Sequence, residues 1–262
     1  MAALINRAWR LFGTGLSFAV FGIGALFLVV LVFPLISLFS RDPDLRALRA
    51  RAAVNRSFRG FLWMMHSLGV FYFDVDPRCR EGCSAKGGLI VVANHPTLID
   101  VVQLLAEVKH GNCIVKRALW NNPFLGGVVR ATNYISNDDS EELLSRCVEV
   151  LKNGETLVIF PEATRTVPGQ PMQLRRGAAR VALASGVPMQ MVHIRCDPST
   201  LSKAEHWYEI PRHRPCLQMS VGDRLDIGAF RRDGEEPSLA SRRLTDLMHD
   251  KFKSFDHKNE RD

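Results

Sequence analysis

The sequence lacks the patterns that mark disulfide frameworks and paired-ligand zinc sites. Its six cysteines are scattered, and it contains neither Cys-x-x-Cys nor His-x-x-x-His. The one close pair, Cys79 and Cys83, has no second pair of ligands to complete a tetrahedral site, so we interpret it as part of a loop. We therefore expect reduced, mostly buried thiols and no metal.

Internal repeats and low-complexity tracts are also missing. The 262 residues are 47% hydrophobic and 23% charged, which is typical of a globular chain with one sizeable core or two small ones. This composition excludes a mainly disordered protein.

Acidic residues are scarce at the amino terminus. Residues 1–60 hold eight arginines against Asp42 and Asp44, a net charge of +6 out of the +7 of the whole chain. The basic excess flanks an apolar segment, which favours contact with anionic lipid headgroups over nucleic acid. No basic surface with interleaved aromatic residues is visible elsewhere, so we predict a membrane partner and no nucleic-acid partner.

Charge is entirely absent from residues 11–39, a run of 29 positions where spanning a bilayer takes about 20. No Ala-x-Ala cleavage site follows, which predicts a retained anchor. The anchor could be a tilted single span, or a re-entrant pair that breaks near Gly22, Gly24 or Pro34. The arginines from Arg41 onward predict that the rest of the chain faces the cytoplasm at the inner membrane.

Residues 44–68 show a helical pattern with arginines on one face. We predict that this helix lies along the bilayer surface. Its apolar positions are Leu45, Leu48, Ala52, Phe58, Leu62 and Met65. The predicted division is therefore a membrane anchor with a basic interfacial helix over 1–60, and a globular domain over 61–262.

Beyond residue 70, short β-like runs alternate with helical stretches. This order predicts an α/β fold with a mixed, largely parallel central sheet flanked by helices. The predicted strands are 70–75, 89–93, 113–115, 133–136, 156–160, 188–195 and 216–221. The predicted helices are 97–109, 138–152, 174–184 and 238–255.

Two of the predicted strands end abruptly in polar residues. The apolar run 89–93 has the pattern of a strand buried on both faces, and it stops at Asn94 and His95. The run 156–160 stops as sharply, just before Glu162. Ligands of open α/β sheets gather beyond the carboxyl ends of the strands, so the two polar clusters are expected to meet over one pocket.

The first cluster contains a histidine followed five positions later by an aspartate. If the chain reverses after His95, Asp100 can reach back to the imidazole, fix its tautomer and leave the other ring nitrogen free to accept a proton. No serine or cysteine nucleophile is adjacent, which favours direct group transfer. The structural alternative is a capping box from Thr97 to Asp100 beside a buried, satisfied histidine.

The second cluster carries charges where a neutral loop would suffice. Arg165 has the fork geometry for a phosphate or carboxylate, and Glu162 could hold that guanidinium or bind an acceptor hydroxyl. The structural alternative is a local ion pair that closes the loop. Further along, Arg175, Arg176 and Arg180 form a basic stripe that we interpret mainly as a solvated face.

These two clusters resemble the motifs of a known family. Residues 94–100, Asn-His-Pro-Thr-Leu-Ile-Asp, resemble the NHxxxxD motif, and residues 160–166, Phe-Pro-Glu-Ala-Thr-Arg-Thr, resemble the FPEGTRS motif of the glycerolipid acyltransferases. The segments 115–126 and 186–188 are similar to two further motifs of that family. The resemblance covers about residues 60–225.

The resemblance implies transfer of a fatty acyl group from acyl-CoA or acyl carrier protein, as co-substrate, to a hydroxyl of a lysophosphatidic-acid-like lipid. It implies no metal and no tightly bound cofactor. It further implies that His95 is the general base and Asp100 its partner, and that Glu162 and Arg165 bind the acceptor, with Arg165 on its phosphate. The implied substrate-binding set also includes Thr164, Lys116 and Asn94.

Some positions depart from the family pattern. Asn137 stands where the second motif usually has an arginine that binds the acceptor, and Lys116, Arg117 or Arg130 could supply the missing charge. Ala163 replaces a glycine; Thr166 replaces a serine and Met191 a proline. The leading acceptor is a lysophosphatidic-acid-like lipid; the alternatives are a non-phosphate acceptor, such as an amino-acid lipid or specialised metabolite, and a non-catalytic lipid-binding scaffold.

Overall fold

A mixed, largely parallel sheet forms the centre of the protein. The computed structural model describes residues 1–84, 87–137, 140–167, 169–230 and 234–258. Its seven described strands are β1 Tyr72–Val75, β2 Leu89–Ala93, β3 Asn112–Val115, β4 Ile135–Ser136, β5 Thr156–Ile159, β6 Met189–Asp197 and β7 Cys216–Leu225. Their order is β1-β7-β6-β2-β5-β3-β4, and every pairing is parallel except β6 with β7. The predicted fold class is confirmed.

Helices cover both faces of the sheet. The helices in chain order are α1 Ala2–Phe27, α2 Phe33–Leu38, α3 Pro43–Ser67, α4 Cys79–Gly82, α5 Asp100–Glu107, α6 Gly126–Thr132, α7 Ser140–Lys152, α8 Gly177–Ser185, α9 Ile227–Phe230 and α10 Pro237–Lys258. Each predicted strand and helix has a counterpart, although residues 138 and 139 of one predicted helix lie outside the described residues. The prediction missed α4, α6 and α9, which have four to seven residues and give too short a periodic pattern to recognise.

The two sides of the sheet carry separate cores. All five residues of β2 are buried, as expected of a central parallel strand. Leu89, Val91 and Ala93 face one core with α3 and α5, whereas Ile90 and Val92 face the other with α7, α8 and α10. The result is a three-layer α/β/α arrangement in which α1 and α2 form an additional outer layer against α3 and α6.

The apolar segment is one unbroken helical path from α1 through α2. A π-helical segment, Leu28–Val32, joins the two helices. The segment lies immediately before Pro34, which lacks a backbone N–H, and its five-residue spacing redistributes the backbone hydrogen bonds without a break. The re-entrant alternative, with a break near Gly22, Gly24 or Pro34, is therefore not what the chain adopts.

We call the continuous helix from α1 to α2 the anchor helix, after its predicted role. It lies along the domain instead of projecting away from it. Ala25, Leu28 and Phe33 pack on α3 and α6. Residues Leu4–Leu38 are long and apolar enough to cross a membrane. An 18-residue stretch within them has a mean hydropathy of 2.8, and only 17% of that stretch is buried. At about 1.5 Å per residue, the 37 residues from α1 to α2 extend about 55 Å, well beyond a bilayer core of about 30 Å. The helix is therefore longer than a perpendicular crossing of a bilayer core would require.

Helix α3 departs from the predicted surface helix. Its buried positions include Ala50 and Val54, whereas Leu45 and Leu48 of the predicted apolar face are exposed. Arg51, predicted to be on the basic face, is buried; its Nε donates to Thr132 O at 2.8 Å, and its guanidinium pairs with Glu155. One face of α3 is therefore core. The predicted domain boundary at residue 60 lies inside this helix, and the division itself stays a prediction.

Candidate active site

Adjacent parallel strands bring the two polar clusters together. β2 and β5 pair in register from Leu89 with Thr156 to Val92 with Ile159, so their carboxyl ends lie side by side. The chain after β2 supplies His95, and the chain after β5 supplies Glu162 and Arg165. The predicted meeting of the clusters at one edge is confirmed.

His95 and Asp100 form the predicted hydrogen-bonded pair. The imidazole Nδ1 lies 2.9 Å from Asp100 Oδ2. The aspartate is fully buried, whereas 15% of the histidine side chain remains exposed. The ring of Phe160 lies beside the imidazole, with 4.6 Å between the ring centroids. One ring nitrogen is therefore fixed by the carboxylate, while the imidazole retains access to the surface.

Thr97 also holds the aspartate, through both of its donors. Its hydroxyl donates to Asp100 Oδ1 and its backbone N–H to Asp100 Oδ2, both at 2.6 Å. Half of the predicted capping box is therefore present, because the carboxylate reaches back to Thr97 N. Thr97 is not the N-cap, however, since α5 begins at Asp100 after Ile99. The Asp100 carboxylate therefore binds Thr97, as the structural alternative predicts, and His95, as the functional interpretation predicts.

Glu162 ties the two motif loops to each other. Its Oε1 accepts from His95 N at 2.8 Å, and its Oε2 accepts from the Thr166 hydroxyl at 2.7 Å. Thr166 N in turn donates to His95 O at 2.8 Å. Both carboxylate oxygens are thus engaged within the protein, and the described contacts contain no ion pair between Glu162 and Arg165. The proposed local ion pair is wrong, and binding of an acceptor by Glu162 stays a prediction.

Arg165 is anchored at one end of its guanidinium. Nη1 donates to Leu201 O at 2.8 Å and to Ser202 O at 3.0 Å, on the long loop after β6. Among the described residues, none accepts a hydrogen bond from Nε or Nη2, and the side chain is partly exposed. The arginine therefore presents free donors at the edge where His95 lies.

The remaining predicted substrate-binding residues occupy different environments. Thr164 is half-buried beside Arg165, and Lys116 is exposed after β3, at the same edge. The Asn94 carboxamide instead bridges to β6, with Nδ2 donating to Ile194 O and Oδ1 accepting from Ile194 N, both at 2.7 Å. Asn94 thus has a structural partner for both amide groups, and its contact with substrate stays a prediction.

The position that departs from the family pattern lies in the loop after β4. Asn137 is exposed, and its Oδ1 accepts from Arg117 N at 3.1 Å. Of the cations that could replace an arginine there, Lys116 and Arg117 follow β3 at the same edge, while Arg130 lies on α6 with Nη1 donating to Trp120 O at 2.7 Å. Placement alone favours Lys116 and Arg117 over Arg130.

Burial controls the charge of both carboxyl groups in the site. Desolvation raises the pKa of Asp100, opposed by its hydrogen bonds from His95 and Thr97. Desolvation also raises the pKa of Glu162, opposed by the hydrogen bonds from Thr166 and from the backbone of His95. The ionised form of each carboxyl group is therefore stabilised by only a few hydrogen bonds. A positive charge on His95 would stabilise ionised Asp100 further.

The thiols do not contribute to this site. All six cysteines are free, and burial raises the pKa of Cys79, Cys83, Cys113, Cys147 and Cys196 to about 12. Thiols with such a pKa are poor nucleophiles. Among the described residues, no group of three or more His, Cys, Asp or Glu side chains is arranged to hold a metal ion.

Sequence reasoning misses the part that four residues play in the site. The sequence marks Thr166 only as a replacement for serine, although its backbone and side chain join the two motif loops. Ala163 adopts a left-handed backbone with φ of 57°, which explains a glycine at this position of the family motif. Leu201 and Ser202 belong to a loop with no motif, and only the unusual length of the chain between β6 and β7 could have drawn attention to it.

Comparisons with known proteins find similarity to acyltransferases. The acyltransferase family model matches residues 74–195. The chloroplast 1-acyl-sn-glycerol-3-phosphate acyltransferase of Arabidopsis thaliana is 29% identical over 177 residues, which is 63% of this chain and 46% of that protein. The 1-acyl-sn-glycerol-3-phosphate acyltransferase of Helicobacter pylori is 34% identical over 110 residues, covering 39% of this chain and 46% of that protein.

The matched segment spans about half the length of these curated relatives. The crystal structure of the 1-acyl-sn-glycerophosphate acyltransferase PlsC from Thermotoga maritima superposes with a TM-score of 0.63 at 21% identity, over 95% of this chain and 97% of that one, and this likeness shows the fold. The family-model match includes both strand-end motifs, and in this segment the chain is similar to the glycerolipid acyltransferases, which include the 1-acyl-sn-glycerol-3-phosphate acyltransferases.

Proposed function

We propose that the protein is an O-acyltransferase that moves a fatty acyl group from acyl-CoA or acyl carrier protein to the free hydroxyl of a 1-acylglycerol-3-phosphate. The observation that carries this proposal is the 2.9 Å contact between His95 Nδ1 and Asp100 Oδ2, with Arg165 delivered by the adjacent strand. The names of the curated relatives support the acceptor class.

In this proposal His95 acts as the general base. Asp100 accepts a hydrogen bond from the Nδ1–H group, so Nε2 carries the free lone pair and takes the proton of the acceptor hydroxyl. The hydroxyl oxygen attacks the thioester carbonyl carbon and forms a tetrahedral intermediate. The carbon–sulfur bond then breaks, and the leaving sulfur takes the proton back from His95. The products are the new ester and a free thiol.

Burial makes Asp100 an effective partner for this proton transfer. A buried carboxylate gains when a neighbouring group becomes positive, and His95 becomes an imidazolium as the hydroxyl attacks. The hydrogen bonds from Thr97 hold the carboxylate on the line of the Nδ1 proton. The acceptor phosphate is assigned to the free donors of Arg165, which match a phosphate geometrically.

The protein is proposed to act at the surface of the inner membrane, with its catalytic domain facing the cytoplasm. The outward face of the anchor helix carries exposed large apolar side chains. They include Ile23, Phe27, Val30, Leu31, Leu35 and Leu38. The arginines that follow are suited to anionic headgroups, and an anchor along the domain would keep the site within reach of a lipid acceptor.

A His95→Ala substitution tests the mechanism. The purified protein is incubated with a panel of lyso-lipids and with both acyl donors, and the products are identified by mass spectrometry. We expect loss of acyl transfer by about 10²- to 10⁴-fold, because the base is removed. His249→Ala on α10 is the matched control. Turnover in H95A equal to that of the control would refute the mechanism.

A second candidate function is acyl transfer to a non-phosphate acceptor. It is favoured by one observation: Asn137, at the family's arginine position, carries no charge and binds a backbone N–H. Inorganic phosphate in the same assay separates the two candidates. It should compete with a phosphate-bearing acceptor at Arg165 and leave transfer to a neutral acceptor unchanged.

A further inference from the structure

The connection between β6 and β7 is much longer than its topology requires. The two strands are antiparallel neighbours, which a hairpin of two to five residues commonly joins, yet residues 198–215 separate Asp197 from Cys216. We call these 18 residues the strap. Loops of this length in a compact domain usually have a functional reason.

One end of the strap holds both motif loops. Leu201 O accepts from Arg165 Nη1 at 2.8 Å and from Leu98 N, within the NHxxxxD segment, at 3.1 Å. Ser202 O accepts from the same Arg165 Nη1 at 3.0 Å. Two strap carbonyls therefore set the position of the guanidinium relative to the histidine loop.

The strap adopts a disfavoured backbone at this contact. Leu201 has a φ of 55°, a left-handed conformation that non-glycine residues seldom adopt, and its side chain is buried. Such a conformation persists only where the surrounding structure imposes it, and it occurs often at functional sites. Here it turns the Leu201 carbonyl toward Arg165 and Leu98.

The other end of the strap is fastened to the anchor helix by Arg10. Although α1 is mainly apolar, this arginine is only 2% exposed. Its Nη1 donates to His213 O, and its Nη2 donates to Pro211 O and Arg212 O, each at 2.8 Å. Its Nε donates to Asn6 Oδ1 at 2.9 Å. A guanidinium bound to three consecutive carbonyls fixes the local course of the strap.

Helix α1 also packs directly on other parts of the strap. Phe18 meets the ring of Trp207 edge-on, with 6.1 Å between the centroids. Arg10 and Thr14 line the same void as Leu201 and Ile210, and the void measures only about 10 Å³. A space of this size hardly admits one water molecule, so the helix and the strap are closely packed.

We propose that Arg10 is a positioning residue that acts on the acceptor-binding Arg165 through the strap. The inference rests on the proposed function, in which Arg165 binds the acceptor phosphate. An arginine side chain that is fixed beforehand loses less conformational freedom on binding. Seating α1 on the strap therefore orders Arg165 for the acceptor, and removing Arg10 weakens acceptor binding without touching the base.

The test compares Arg10→Gln with Arg7→Gln in the full-length protein. Arg7 lies on the same helix and is exposed, so the control loses the same charge without losing strap contacts. With lysophosphatidic acid as acceptor, we expect R10Q to raise KM about 3- to 30-fold while kcat changes less than about twofold, and R7Q to change neither. Arg10→Lys, which keeps the charge and can keep some of the carbonyl contacts, should recover part of the loss.

A double-mutant cycle with Arg165→Lys separates positioning from general destabilisation. Lysine cannot bind Leu201 O and Ser202 O and at the same time present a second pair of donors to the acceptor phosphate, so R10Q in that background should add less than about twofold to KM. Hydrogen exchange should also rise in R10Q, but not in R7Q, over residues 163–167 and 199–203.

Each outcome decides a different claim. The coupling would be overturned if R10Q had the same KM and the same hydrogen exchange as R7Q. It would also be overturned if R10Q raised KM equally with and without R165K. If R10Q does not fold, R10K is judged by the same criteria. Wild-type protein that acylates no acceptor would refute the proposed function, and the exchange difference alone would then decide whether Arg10 positions the Arg165 loop.

Discussion

At the residue scale, the site depends on buried carboxylates that have few but well-placed donors. Asp100 is held by the imidazole and by both donors of Thr97, and Glu162 is held by His95 N and the Thr166 hydroxyl. Removing a partner from a buried charge costs more than the contact contributes, because the charge remains desolvated. The two carboxylates therefore fix the geometry of both loops.

The raised pKa of Glu162 predicts a pH-dependent stability. A carboxyl whose pKa is higher in the folded state contributes most below its unfolded pKa of about 4.3, and this contribution disappears as the pH rises through the folded pKa. We expect the free energy of unfolding to fall less with rising pH in Glu162→Gln than in the wild type. Denaturant unfolding followed by tryptophan fluorescence from pH 4 upward measures this.

Asp76→Asn is the control for that experiment. Hydrogen bonds from Arg78 lower the pKa of Asp76, so its contribution is present above the unfolded pKa and is lost as the pH falls. The two substitutions should therefore change the pH profile in opposite directions. Parallel profiles for E162Q and the wild type would contradict the burial argument.

Ala163 predicts a stabilising substitution. Its φ of 57° disfavours any side chain with a Cβ, and Ala163→Gly removes that penalty. We expect A163G to raise the free energy of unfolding by up to about 1 kcal/mol. Ala184→Gly, in the exposed part of α8, should instead lower it by about 1 kcal/mol, because glycine is a poor helix former. A loss of stability in A163G similar to that in A184G would refute the strain.

At the scale of elements, close contact with the domain determines how the anchor helix sits. A Cβ at Gly13 would approach Val70 Cγ2 to 2.7 Å, whereas a Cβ at Gly24 on the same helix would meet nothing within 4 Å. The amino-terminal half of α1 is thus pressed against the chain before β1. This contact neighbours Arg10, so the helix is fastened both sterically and by hydrogen bonds.

Two alanine substitutions test that fit. Gly13→Ala should destabilise the protein by about 1–3 kcal/mol, because the new methyl group must displace Val70. Gly24→Ala should stabilise it by about 0.5–1 kcal/mol, since a helical glycine is replaced in open space. Denaturant unfolding in detergent micelles measures both. Equal effects of the two substitutions would mean that α1 does not pack on the domain.

At the scale of the whole molecule, the anchor helix with its exposed apolar side chains packs on the same domain that carries the candidate site. The anchor covers one helical layer, and the opposite layer, containing α10, lies across the sheet. The exposed apolar side chains of the anchor helix form a continuous surface of the kind that is typical of a protein or membrane interface. The strap contacts both α1 and Arg165, so the proposed membrane attachment and the proposed acceptor binding share a structural element.

Matched substitutions on the two outer layers test this orientation. Leu31→Glu on the anchor should weaken binding to anionic lipid vesicles, since a charge must then enter the hydrocarbon region. Leu239→Glu on α10 should leave binding unchanged, although Leu239 is as exposed, at 58% against 48% for Leu31. Vesicle co-sedimentation measures both. Equal binding of L31E and L239E would refute an anchor on the α1 side.

Strong local patterns were enough to predict much of this protein. The continuous apolar runs before Asn94 and Pro161 have few alternatives to buried strands, and a histidine and an aspartate at this spacing can meet within one reversal of the chain. These signals are local, so the sequence alone determined the strands, the two polar strand ends and the His95–Asp100 pair, whereas the order of the strands came from the structure.

The tertiary structure decided the features that depend on distant residues. Arg51 and Arg10 look like surface cations in the sequence, yet each is buried because backbone carbonyls far along the chain satisfy it. Likewise, Glu162 binds His95 N, and Arg165 binds the strap instead of Glu162. A side chain chooses among all donors and acceptors that the fold brings near, and only the packed molecule defines that set.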